Sequence, residues 1–129
     1  RAVALGLVGV QELVDALGVV LEAQQNTLKL LKPGASCKDI IESHNAFMKA
    51  RGHAAERRLY CHGQGYDMVE RPLGREDEPM KLKSKMNITV HPVIGTDRVW
   101  VWVCDNYLIM DSGVSDCLHR TPQQIFAVG

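Results

Sequence analysis

The residues whose types could do chemistry lie between positions 61 and 105. The run Cys61-His62-Gly63-Gln64-Gly65-Tyr66-Asp67-Met68-Val69-Glu70-Arg71-Pro72 sets a histidine beside two glycines, then an acidic residue and a proline. Gly63 and Gly65 permit close backbone approach and unusual φ values around His62. A side chain presented on such a strand end is well placed to face a cleft. The plainer alternative is a Gly-rich turn with a stray histidine. His62 and His91 carry the side chain that titrates near neutrality, which suits proton transfer. Their spacing is not a local zinc motif, so only the fold can bring them together. His44, His53 and Cys37 read as ordinary surface or packed residues.

These residues need elements to position them. From Val10 to Leu31, apolar residues recur at Leu13, Leu17, Val20, Leu21, Leu28 and Leu31, one face of an amphipathic helix. Lys32-Pro33-Gly34 ends it, since Pro33 cannot continue a helix and Gly34 can take a left-handed turn. Ser36 starts a second helix as N-cap, with Asp39 as a weaker capping-box acid. Ile40, Ile41, Phe47 and Met48 supply its buried stripe, and Arg51-Gly52 stops it. The charged stretch from Pro72 to Met86 reads as a hydrated surface loop.

The period then changes to two. Ile88, Val90 and Pro92 alternate with Thr89 and His91, and Val99, Val101 and Val103 alternate with Trp100, Trp102 and Cys104. Such alternation predicts strands, with a hairpin at Gly95-Thr96-Asp97. On this register His91 shares a face with Thr89, and Cys104 shares one with the tryptophans, which read as core or as a subunit contact. Tyr107 to Met110 extends into another strand, and Asp111-Ser112-Gly113 is a turn.

At 129 residues the chain has the length of one domain. Fifteen basic and fifteen acidic residues cancel, so neither nucleic acid nor a membrane surface is implied as partner. No apolar run approaches the roughly 18 residues that span a bilayer, and no signal peptide is seen. Four cysteines without CxxC pairing read as reduced thiols, which points to the cytoplasm.

The motifs carry a resemblance. His62-Gly63-x-Gly65-x-x-x-Val69-Glu70-x-Pro72 resembles the His-Gly-(Ile/Val)-Gly-x-x-x-His-Glu-x-Pro signature of the pita-bread superfamily, which holds methionine aminopeptidase, Xaa-Pro aminopeptidase, prolidase and creatinase. Asn87-Ile88-Thr89-Val90-His91-Pro92 resembles its Phe-Thr-(Ile/Val)-Glu-Pro. Val103-Cys104-Asp105-Asn106-Tyr107-Leu108-Ile109 resembles its Ile-Glu-Asp-x-Val-Leu-Val. The ordered matches cover the chain from about Leu13 onward. They imply an α+β pita-bread fold, a curved antiparallel sheet with helices packed on its outer face. Arg1-Ala2-Val3-Ala4-Leu5-Gly6 is similar to the segment that follows the second of the family's two metal-binding aspartates. The resemblance thus implies that residues 1–129 are the C-terminal portion of one domain, incomplete at the N-terminus. Thr121 to Phe126 is similar to the closing segment.

The superfamily's peptidases hold two divalent metals with two aspartates, one histidine and two glutamates, and so activate a water. His62 matches the histidine, His91 the first glutamate and Cys104 the second, while Val69 replaces a substrate-contacting histidine. Glu70 and Asp105 match acidic positions that sit beside the chemistry rather than on the metal, and with Tyr66 and Arg71 they are the candidate substrate contacts. Imidazole and thiolate do not bridge two metals as carboxylate does. Three outcomes stay open: a mononuclear zinc, manganese or cobalt site from His62, His91, Cys104 and an upstream aspartate; a metal-free site, as in creatinase, with His62 or His91 moving protons; or a pocket that binds without catalysis. The expected activity is that of an Xaa-Pro aminopeptidase/dipeptidase-like or creatinase-like hydrolase on a small peptide or C–N substrate, with a homodimer as assembly. The alternatives are an inactive binding domain and an enzyme of different chemistry, such as a lyase.

Overall fold

The computed structural model describes residues 10–126, so the expectation for Arg1 to Gly6 lies outside the described residues. The first apolar stripe winds into α1 (Val10–Leu28). The helix ends three residues before Leu31, where Leu30 and Leu31 donate to the Thr27 and Leu28 carbonyls in a tighter turn. Gly34 follows with φ +87°, the left-handed value that favours glycine. Ser36 caps α2 (Cys37–Ala50) as expected, its hydroxyl accepting from the Asp39 N–H at 3.4 Å. Gly52, at φ +78°, closes the far end.

The strands are β1 (Cys61–Gly63), β2 (Glu70–Leu73), β3 (Asn87–Val90), β4 (Val93–Gly95), β5 (Trp100–Trp102), β6 (Asp105–Met110) and β7 (Gly113–Val114). Five of them pair in the order β2-β1-β3-β6-β7, every pair antiparallel, and β4 with β5 forms the expected hairpin. Cys61, Ile88, Val90, Tyr107 and Ile109 face Leu31, Ile40, Ile41, Tyr60 and Leu82 in one core cluster. Ala16, Leu17, Val20 and Ala23 of α1, with Met48 of α2, pack on Ile94, Val101 and Val103 in a second. Both clusters lie on one side of the strands, so the helices cover one face and leave the opposite one, the cleft face, without a helix among the described residues. This is the expected α+β pita-bread arrangement. No helix among the described residues is long and apolar enough to cross a membrane.

Three details differ from the sequence reading. Gln24 and Thr27 are fully buried within the α1 stripe. Trp100 and Trp102 are not core: they are 41% and 38% exposed, on the side of the hairpin away from the helices. The Pro72–Met86 stretch is not simply hydrated. Glu78 is nearly enclosed and accepts from the Leu73 N–H (3.0 Å), the Met80 N–H (2.8 Å) and Arg71. Leu82 belongs to the core, and Lys81 bridges back to Ser36.

His44 is packed rather than superficial. It is 1% exposed, stacked on Tyr60 with ring centroids 3.9 Å apart, and neither ring nitrogen has a partner among the described residues. Burial pushes its pKa down from 6.5 to about 4, against a smaller upward pull from Glu56. The unfolded chain therefore binds a proton that the folded chain refuses between pH 6.5 and 4. This contribution is complete above the unfolded value and is lost as pH falls through that window, by on the order of 3 kcal/mol. Urea unfolding at pH 7 and at pH 4.5 should show a smaller acid loss in His44→Leu than in the parent. The residual acid loss comes in part from His91, whose pKa is also lowered to about 4.

Candidate functional site

Register decides which side chains meet. His62 on β1 pairs with Thr89 on β3, and Thr89 pairs with Asn106 on β6. Their neighbours Cys61, Ile88, Val90 and Tyr107 face the helices, so period two turns this row into the cleft. The β3–β6 pairing ends at Val90↔Asp105 and resumes unchanged in the hairpin at Val93↔Trp102. That continuity sets His91 opposite Cys104 at the junction, where the Val103 N–H reaches the Pro92 carbonyl at 3.4 Å.

The two histidines meet edge to face, ring centroids 5.1 Å apart at 64°. His62 is buried and its Nδ1 donates to the Gly63 carbonyl at 2.8 Å, which leaves Nε2 as the ring nitrogen outside that bond. The His91 backbone N–H is fixed to the Tyr60 carbonyl at 2.7 Å, while its buried Nδ1 has no partner among the described residues. Burial, His62 and Arg58 all push the His91 pKa down, to about 4, so the ring is neutral at pH 7. Trp102 stands 6.0 Å from His91, and Arg58, paired with Glu56 at 3.0 Å, lies over Trp100. Gly95 allows Trp100 to lie on the hairpin backbone, because a Cβ there would sit 2.6 Å from the indole.

The row continues in neutral amides. Gln64 Oε1 accepts from Thr89 Oγ1 (2.7 Å) and Asn106 Nδ2 (2.8 Å), and Asn106 Oδ1 meets His119 Nε2 at 2.9 Å. The sequence reading passed over Gln64, Asn106 and His119. The available signal was the polar set Asn87, Thr89 and Asn106 alternating with the apolar Ile88, Val90, Tyr107 and Ile109.

The remaining expected contacts fall elsewhere. Tyr66 is fully exposed in the turn between β1 and β2. In the same turn Glu70 accepts from the Asp67 N–H at 3.2 Å. Arg71 is engaged by Glu78, whose carboxyl that pairing holds down at about 2. Asp105 does not face the cleft. As the neighbour of Cys104 on a strand it must point the other way, and it is fully buried on the helix side. Burial pushes its pKa up, but hydrogen bonds from Gln123 and Gln24 hold it below the usual carboxylate value. Of the two properties expected of Gly63 and Gly65, Gly63 shows the close approach and neither shows a positive φ. The positive-φ glycines among the described residues are Gly34, Gly52 and Gly113, so Gly63 serves close approach instead. A Cβ on it would lie 2.6 Å from the Arg71 carbonyl oxygen.

A row of histidines and amides on one sheet face, with helices behind, defines a site by geometry, and the family model of metallopeptidase family M24 matches residues 1–114. The chain belongs to metallopeptidase family M24. Its structure is similar to that of the X-Pro aminopeptidase from Thermotoga maritima, at 24% identity and a TM-score of 0.83, over 96% of this chain and 35% of that one. It is also similar to the prolidase from Pyrococcus furiosus (26% identity, TM-score 0.77, 86% of this chain and 33% of that one). A third likeness is to the methionine aminopeptidase from Rickettsia prowazekii (18% identity, TM-score 0.63, 85% and 53%). The chain thus spans about a third of the length of the first two. No curated protein sequence matches it.

M24 membership implies divalent metal, and the orphaned Nδ1 of His91 is the kind of buried atom a ligand site leaves. Yet among the described residues no group of three or more His, Cys, Asp or Glu side chains could hold a metal ion. His62, His91 and Cys104 therefore do not close into a centre by themselves; the His91 ring is packed edge-on between His62 and Trp102. The described residues do not fit a complete M24 metal site. The fit of β1 against β2 is directly testable. Gly63→Ala should force the strands apart at Arg71 and cost about 1–3 kcal/mol in urea unfolding, as overpacking does.

Proposed function

We propose that this chain carries the histidine pair of a peptidase-like hydrolase. The substrate is a small peptide of the Xaa-Pro kind, or a small C–N compound as in creatinase. The observation that carries the reading is the contact of His62 with His91 in the cleft face, one ring anchored through Nδ1 and the other neutral. Hydrolysis of an amide needs a group that takes a proton from water and returns it to the leaving nitrogen. His62 suits that role, since the Gly63 carbonyl fixes its tautomer and aims Nε2 outward. His91 is a weak base and offers a hydrogen bond to the substrate without adding charge. Trp102 walls the His91 side, and Tyr66, Glu70 and Arg71 stand at the neighbouring turn as outer substrate contacts. Imidazole and thiol at positions 91 and 104 favour proton transfer or terminal ligation over a carboxylate bridge. We assign any zinc, manganese or cobalt ion to ligands completed outside residues 10–126. Four cysteines outside disulfides support a cytoplasmic location, and the likeness to prolidases supports a homodimer.

The test is turnover by the longest polypeptide that contains this chain, purified without chelator, with its metal content measured. Substrates are Xaa-Pro dipeptides and creatine. His62→Ala should lower kcat/KM by about a hundredfold or more and His91→Ala by about tenfold or more. Absence of turnover on both classes after supply of zinc, manganese and cobalt would sink the hydrolase reading and leave a binding domain.

A further inference from the structure

The polar group buried behind the sheet takes no part in that reaction, yet it grips both strand ends that carry the site. Gln24 of α1 is fully buried. Its Nε2 donates to the Val90 carbonyl (3.3 Å) and to Asp105 Oδ2 (3.3 Å). Its Oε1 accepts from the Tyr107 hydroxyl (3.2 Å) and from Gln123 Nε2 (2.8 Å), and Gln123 also donates to Asp105 Oδ2. Val90 and Asp105 are cross-strand partners. Val90 precedes His91, and Asp105 follows Cys104. One amide therefore ties a helix to the two backbone segments that fix where His91 and Cys104 sit, and a second amide from the C-terminal segment closes the ring.

Stability alone gives a poor account of this arrangement. A buried charge with its partners is commonly no more stable than well-packed apolar residues of the same volume. What the amides and carboxylate add is direction: each bond fixes an angle and a distance that apolar packing leaves loose. Small misplacements matter at reacting groups, where an ångström is worth about a hundredfold in rate. We propose that Gln24, Asp105 and Gln123 form a positioning brace that holds the β3 and β6 ends so that His91 stays seated against His62. The proposal rests on the reading of the histidine pair as the reactive pair.

Gln24→Glu keeps the shape but sets a second carboxylate against Asp105. Gln24→Glu combined with Asp105→Asn restores a single charge but leaves a carboxylate oxygen, which cannot donate, against the Val90 carbonyl. Both are to be made in the longest polypeptide, selectively labelled at histidine, with the cross-peak between the His62 and His91 ring protons as readout. In Gln24→Glu that cross-peak should weaken about twofold or more, and kcat should fall about tenfold with KM nearly unchanged. The double variant, still lacking the bond to the Val90 carbonyl, should keep the cross-peak weak and kcat low. A folded Gln24→Glu with the cross-peak unchanged, or a double variant that recovers the cross-peak without that bond, overturns the brace. Should Gln24→Glu not fold, Gln123→Leu, in a partly exposed segment, takes its place with the same expected direction; an unchanged cross-peak again overturns the proposal. A cross-peak that weakens in both variants of a protein without turnover upholds the brace and removes the hydrolase reading.

Discussion

The antiparallel pairing of β3 with β6 is the constraint on which the rest of the site depends. It fixes Thr89 opposite Asn106 and Val90 opposite Asp105, and the same register runs on into the hairpin. A slip of one residue would turn His91 and Cys104 into the core and Val90 and Asp105 into the cleft. Val90, Ile88, Tyr107 and Ile109 forbid that slip, because it would expose the whole apolar set that meets the helices. The core thus aims the chemistry without touching it.

The electrostatics follow from the same division of faces. The cleft row of His62, Gln64, Thr89, Asn106 and His91 holds no carboxylate, and His91 is held neutral chiefly by burial. The charged residues nearby are already occupied: Arg58 by Glu56, Arg71 by Glu78. The one buried carboxylate of the strands, Asp105, is on the helix side with its amide donors. Hydrogen-bonding groups and the flat Trp102 side chain, more than free charge, therefore line this face.

How far the sequence shows this depends on whether the signal is periodic. The stripes of α1 and α2, the Ser36 cap, the Gly34 turn and the alternation of Val99, Val101 and Val103 are repeats or local chemistry, and each led to its element. The meeting of His62 with His91 was legible only through motif order, because the residues are far apart in sequence and no spacing rule joins them. Asp105 was misplaced because a motif position was read without its face, although period two already turned it away from Cys104. Glu78 was lost in a run of charges that reads as solvated, since nothing local shows that two backbone N–H groups wait for its carboxylate. Gln24 had a signal: it interrupts an apolar stripe, and a polar residue at such a position needs partners when buried.

The separation of faces also explains how an M24 chain can keep its fold while its ligand positions change. Fold stability rests on the apolar residues at odd steps from the cleft row: Ile88, Val90, Val101, Val103, Tyr107 and Ile109. Cleft residues contribute little to that burial, so an imidazole at 91 or a thiol at 104 is accommodated without disturbing the sheet. The brace behind the strands is the exception, since it is the one place where core and cleft geometry share atoms through the backbone of Val90. Change at the site is therefore free where side chains face the cleft and constrained where the backbone that carries them is bonded to Gln24.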